Sequence, residues 1–256
     1  MIDLAIADGI ARVTLDAPEK LNALDETALR DLTAAYTEAE AAGVGALILA
    51  GEGRAFCAGR DIAGVDPATD DVAGYLEGLV TPLLRRISRF PAPTFAAAQG
   101  ACLGVGLGLL AATDVVYVAE DAKIGSPFAA LGAVLDSGGH ALLVSRLGTH
   151  KTLDLIYTGR LMSGAEAVGS GLFSRALPSD ELRGAVDAAA ATVAAGARQA
   201  LLASKRIVAG LRDGELALWD AVAAENAAQV ALRDTADYHE GFAAFREKRR
   251  PGFTGR

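Results

Sequence analysis

Residues 98–114 constrain this chain more than any other stretch. They read Ala-Gln-Gly-Ala-Cys-Leu-Gly-Val-Gly-Leu-Gly-Leu-Leu-Ala-Ala-Thr-Asp. An apolar run, 94–98, leads in, and another, 115–118, leads out. The pattern predicts a strand, a tight glycine turn and a buried helix opening near Gly104. Glycine has no Cβ, so backbone can approach backbone or a ligand closely. A helix start adds unpaired N–H groups and the positive end of a dipole. Together these suit a negatively charged oxygen. Tight helix packing accounts for the glycines equally well, so the stretch by itself defines an element and not a site.

The rest of the chain supplies a frame for that element. Residues 2–6 and 10–15 alternate apolar and polar around Asp8-Gly9, a strong hairpin signal. Asp25 caps a helix running to about 42, with Glu26 and Asp31 early, where the dipole favours acids. Residues 44–50 form a buried strand, followed by a second glycine-bearing loop, Gly51 to Ile62. Residues 72–90 predict an amphipathic helix stopped by Pro91 and Pro93. Strand, loop and helix therefore repeat, which argues for a parallel or mixed α/β sheet with helices outside it. Both glycine loops leave the carboxyl ends of successive strands, the edge where open sheets bind ligands. Further on, 122–125 and 172–177 read as strands and 140–147, 149–158 and 163–170 as short helices. From Ser179 the chain is helical and alanine-rich, giving a core over 1–195 and a C-terminal helical region over 196–256.

Composition narrows the partners. The chain has 256 residues, a net charge of −8 and no basic stripe, so nucleic acid is not expected. The two cysteines, Cys57 and Cys102, have no metal-ligand spacing and read as reduced thiols of a cytoplasmic protein. No apolar run reaches 18 residues and the N-terminus has no basic leader, so neither a membrane partner nor a signal peptide is expected. At 52% hydrophobic but only 5% aromatic residues, the core must be built from Ala, Val, Leu and Ile.

Four segments occur in order: P-E-K-L-N-A-L, A-F-C-A-G-R-D-I, Q-G-A-C-L-G-V-G-L-G-L and E-G-F-A-A-F-R-E-K-R-R-P. Together they resemble the crotonase (enoyl-CoA hydratase/isomerase) superfamily over nearly the whole chain. The resemblance implies a spiral of ββα repeats, a C-terminal helical region that packs homotrimers or hexamers, and acyl-CoA thioester substrates. It implies no cofactor beyond the coenzyme A of the substrate. It places two oxyanion-binding N–H groups at Arg60, after Ala58-Gly59, and at Val105, where the family usually has glycine. The valine keeps the main-chain donor, and its side chain would narrow the pocket. For coenzyme A it points to Lys20, Leu21, the stretch Arg60, Asp61, Ile62 and Ala63, and Phe245 with Lys248.

Losing one preorganised oxyanion donor typically costs about a hundred- to a thousandfold in rate, which is why a thioester enolate calls for two. The chain departs from the hydratase pattern at the acids. The two glutamates of that pattern match Gly108 and Phe128, and neither transfers a proton. The acid left in the region is Asp136, in L-G-A-V-L-D-S-G-G, a segment that looks like the enoyl-CoA and ring-epoxide isomerase branch. In that branch the aspartate shuttles a proton. Leu131, Val134, Leu135 and Phe128 would desolvate Asp136, as a base requires. Asp before Ser-Gly-Gly also reads as an N-cap. The resulting expectation is an isomerase moving a 3-enoyl-CoA double bond into conjugation. The alternatives are a hydratase or hydrolase using other acids, such as Asp61 or Asp66, and a non-catalytic acyl-CoA-binding protein. The acyl pocket is expected from residues 65–84 and 128–135.

Overall fold

The computed structural model describes residues 1–255. Strands β1 (Ile2–Ala7) and β2 (Ile10–Leu15) form the antiparallel hairpin. Asp8 and Gly9 take φ of 51° and 73°, the left-handed pair that a two-residue turn needs. Helix α1 (Glu26–Ala41) follows, and Asp25 accepts the Ala28 N–H at 2.8 Å, as a cap should. Its buried face, Leu29, Leu32 and Tyr36 among others, packs into the core. Strand β3 (Ala46–Gly51) is buried at every position, as expected of an inner parallel strand.

The segment read as one amphipathic helix is three. Helix α2 (Val72–Tyr75) passes through a π-turn (Leu76–Val80) into α3 (Thr81–Ser88). Pro82 has no N–H to offer Gly78, and the Thr81 N–H reaches back to the Leu76 carbonyl, adding a residue to the turn. Next come β4 (Thr94–Ala98), a short strand β5 (Ala101–Leu103) and α4 (Val105–Ala112). The glycine turn thus contains a strand, too short for any periodicity to show. The chain continues through β6 (Val115–Ala119), β7 (Lys123–Gly125) and α5 (Gly139–Thr158), which is kinked at Gly148, where ψ is 169°. Gly148 leaves the helical region, so α5 is two helices meeting at a kink, as the reading of 140–147 and 149–158 expects.

Strand β8 (Met162–Ser163), α6 (Gly164–Gly169) and β9 (Arg175–Leu177) complete the sheets. The main sheet runs β1-β2-β3-β4-β6-β9, parallel after the hairpin, and the second runs β5-β7-β8. Two turns of the spiral, β4-β5-α4 and β6-β7-α5, each give one strand to each sheet and then a helix. Helix α7 (Ser179–Ala194) lies across β3, β4 and β6. The last helices are α8 (Arg198–Arg212), α9 (Leu218–Leu232) and α10 (Ala236–Glu247). The ammonium of Lys205 on α8 sits 2.7 Å from Asp114 and donates to the Ala92 carbonyl at 3.0 Å, fastening the C-terminal helices to the ends of β4 and α4. Among the described residues, no helix is long and apolar enough to cross a membrane.

Candidate active site

The two glycine loops meet as the strand order requires. The Cys57 N–H donates to Ala101 O and the Leu103 N–H to Cys57 O, both at 2.9 Å, so loop and β5 share a parallel bridge. Three glycines make the approach possible. A Cβ on Gly106 would stand 2.6 Å from the Cys57 carbonyl oxygen, inside contact with fixed backbone. One on Gly100 would come 1.9 Å from the Arg54 carbonyl. At Gly59 (φ 103°), a Cβ would press the Leu103 carbonyl oxygen at 3.1 Å. The glycine signal is thus explained by close approach of these segments.

That approach leaves two N–H groups free. Leu24 donates to Gly59 O at 2.8 Å and accepts from the Asp61 N–H at 2.9 Å. In a parallel bridge of this kind the residue between, Arg60, turns its own N–H away from the partner. The Arg60 N–H has no acceptor among the described residues. Val105 opens α4 behind Gly104 (φ 52°, ψ −119°), so its N–H is one that a helix leaves unpaired. These donors stand on adjoining segments, with the α4 dipole behind one of them. The Val105 side chain is 1% exposed and belongs to the hydrophobic core, which corrects the expectation that it narrows a pocket.

Phe128, half-buried on a 3-10 turn (Phe128–Leu131), lays its ring edge against Gly104: a Cβ there would meet Cζ at 3.0 Å. The position of the other hydratase glutamate, Gly108, faces Ser137, whose Cβ lies 2.5 Å from where a Gly108 Cβ would be. Ser137 takes φ 53° and donates its Oγ–H to Asp136 Oδ1 at 2.7 Å. The Asp136 carboxylate does not cap α5. Gly138 holds the cap position with no side-chain bond, and it is the Asp136 carbonyl that accepts the Gly139 N–H at 2.9 Å. Leu135 is buried beside it, whereas Leu131 and Val134 are 62% and 72% exposed and do not desolvate it, contrary to expectation.

Residues named for coenzyme A lie partly together. A cavity of about 740 Å³ is lined by Lys20, Arg60, Asp61 and Ala63, with Tyr75 and Asp70. Leu21 (φ 53°) accepts the Ala58 N–H at 2.9 Å and so supports the loop through its backbone. Ile62 is exposed. Lys20 pairs with Asp61 at 3.1 Å, which raises the ammonium above its ordinary pKa. Asp61 accepts from the Ala63 N–H and from Lys20, and both hold its carboxyl below the usual range. Asp66 accepts the Ala68 N–H at 3.0 Å. Phe245, 84% exposed, lines a separate apolar cleft with Tyr238 and Phe253, and Lys248 forms the left-handed C-cap of α10. The single chain does not bring Phe245 or Lys248 to the Lys20 cavity.

Sequence reading held Tyr75 and Asp70 only within the expected pocket range 65–84 and gave neither a role. Asp70 grips the Arg60 guanidinium with two bonds of 2.6 and 2.8 Å, and that contact holds the Asp70 carboxyl low. The guanidinium carbon lies 4.0 Å from the Tyr75 ring centroid. The buried Tyr75 hydroxyl has no hydrogen-bond partner among the described residues, a state that costs about 1–3 kcal/mol. Burial pushes the Cys57 thiol up to about 12 and raises Cys102 as well, so neither is a nucleophile at neutral pH.

Two sheets wound in ββα turns, with unpaired N–H groups at a loop and a helix start, define a crotonase-type scaffold. The chain belongs to the enoyl-CoA hydratase/isomerase family, whose model matches residues 5–256. Probable enoyl-CoA hydratase echA8 of Mycobacterium bovis is 36% identical, over 95% of this chain and 94% of its own. The 1,2-epoxyphenylacetyl-CoA isomerase of Escherichia coli is 30% identical, over 98% and 97%. Among solved structures, an enoyl-CoA hydratase from Bacillus anthracis superposes with a TM-score of 0.90 at 28% identity, covering 100% of this chain and 99% of its own.

Proposed function

We propose that this enzyme isomerises 3-enoyl-CoA thioesters to the conjugated 2-enoyl-CoA. The thioester oxygen accepts from the Arg60 and Val105 N–H groups. Asp136 takes a proton from carbon 2, and the electrons move onto the thioester oxygen as a dienolate. The protonated Asp136 then returns the proton to carbon 4, which leaves the double bond between carbons 2 and 3 and the carboxylate restored. Donors aimed at the developing charge act on the transition state more than on the ground state. No cofactor enters beyond the coenzyme A of the substrate.

One observation carries the reading. Where a hydratase needs two acids the chain has Gly108 and Phe128, and Ser137 fills the space facing Gly108 while bonding its one neighbouring carboxylate, Asp136. The N-cap role that competed for Asp136 falls to its backbone carbonyl instead. Asp61 and Asp66, the acids of the alternative hydratase or hydrolase, are engaged in local turns. The relative named as an isomerase supports the same direction, while other relatives carry hydratase names. The expected homotrimer or hexamer belongs to this proposal, supported by exposed Leu218, Trp219, Val230 and Phe242 on the C-terminal helices.

Wild type and Asp136→Asn are to be assayed on 3-enoyl-CoA and 2-enoyl-CoA panels. The expected result is isomerisation by wild type and a loss of about a hundred- to ten-thousandfold in the folded variant. Equal turnover by both proteins would remove Asp136 from the mechanism. Thioester binding without turnover by either would favour the non-catalytic reading.

A further inference from the structure

Three buried side-chain hydroxyls have no hydrogen-bond partner among the described residues: Tyr36, Tyr75 and Ser126. Tyr36 lies in the core with its ring edge-on to Phe90 at 5.6 Å, and Ser126 sits in the link between β7 and the Phe128 turn. Tyr75 is the one that lines the cavity shared with Lys20, Arg60 and Asp61. Only 3% of it is exposed, and its ring is fixed by the Arg60 guanidinium, itself clamped by Asp70. The residue that fixes the ring is the one whose N–H is the first oxyanion donor. The chain therefore holds an unused donor in a set position at the wall of the Lys20–Arg60 cavity.

We propose that the Tyr75 hydroxyl donates to an oxygen on the acyl group of the substrate, so that the enzyme selects oxygenated acyl-CoA thioesters over plain ones of the same length. This rests on the acyl-CoA reading above but not on isomerisation. Burial, chiefly, with smaller contributions from negative charge at neighbours that include Asp136, keeps the phenol above its ordinary pKa, so it is a donor across the working range. A site built to satisfy a substrate hydroxyl rejects the analogue without one, because the protein's own polar group is then left unpaired.

The test compares dissociation constants of butyryl-CoA, 3-hydroxybutyryl-CoA and 4-hydroxybutyryl-CoA for wild type and Tyr75→Phe by calorimetry. One hydroxy ester should bind wild type about tenfold tighter than butyryl-CoA, and Tyr75→Phe should erase that preference while leaving butyryl-CoA binding in place. The thermal midpoint of the variant should stay level or rise, since no protein bond is lost. Equal binding of the three esters by wild type overturns this proposal and leaves the isomerase reading standing. A hydroxyl preference that survives in Tyr75→Phe also overturns it. Binding of no ester overturns both.

Discussion

The two halves of the site are built differently. The proposed oxyanion half, Cys57 to Arg60 with Gly100 to Gly106, is tied by backbone bonds between strands and by glycines that admit no Cβ. The proposed proton-handling half, residues 126–138, is a 3-10 turn and a loop with exposed Leu131 and Val134. Its carboxylate is held by one neighbouring hydroxyl. Charge stabilisation needs donors that do not reorganise as the reaction proceeds, and sheet edges supply them. Proton transfer between two carbons needs a group that can serve both, and a loop can give that freedom.

Two glycines of α4, Gly106 and Gly108, tell the two halves apart. Gly106→Ala drives a Cβ against Cys57 backbone, so it should cost about 2–3 kcal/mol in denaturant unfolding despite the better helix propensity of alanine. Activity should fall with it. A fully stable Gly106→Ala protein would show that the oxyanion half is not rigid. Gly108→Ala drives its Cβ against Ser137, in the loop. There the loop should yield, giving roughly a tenfold to hundredfold drop in kcat as Asp136 is displaced, with unfolding shifted by less than about 1 kcal/mol. Equal stability losses in the two variants would erase the distinction.

Smaller effects sharpen it. Ser137→Ala removes the Oγ–H donor to Asp136 and should lower kcat about threefold to tenfold with KM unchanged. The Arg60–Asp70 clamp fixes a guanidinium in the cavity wall and leaves the Arg60 N–H untouched, so Asp70→Asn should raise KM a few fold and change kcat less. The Asp70 carboxyl titrates below its ordinary range. The clamp is therefore complete above the ordinary carboxylate value of about 3.9 and is lost as pH falls through the lowered one. Thioester binding by wild type, followed by calorimetry, should be flat from about pH 5 upward insofar as the clamp governs it.

Local chemistry made much of this legible. The hairpin at Asp8-Gly9, the Asp25 cap, the buried strands and the helix opening at Gly104 each follow from a few adjacent residues, because backbone dihedrals and short-range bonds decide them. The resemblance carried by the motifs around Arg60 and Val105 pointed to both N–H groups, and the bridge to Leu24 is what leaves that of Arg60 free. That Gly108 and Phe128 carry no acid is a fact of sequence, and the departure from a hydratase that it implies belongs to the proposed function.

Tertiary structure decided the rest. Strand β5 depends on partners distant along the chain, Lys123–Gly125 and Cys57, so no periodicity announces it. Whether Asp136 caps a helix with its side chain or its carbonyl turns on the left-handed Ser137-Gly138 pair and on the space beside Gly108. Tyr75 reads in sequence as one apolar position of a helix face. Only the fold sets its hydroxyl without a partner under Arg60, because burial and the absence of an acceptor are properties of everything packed around a residue and of none of its neighbours in sequence.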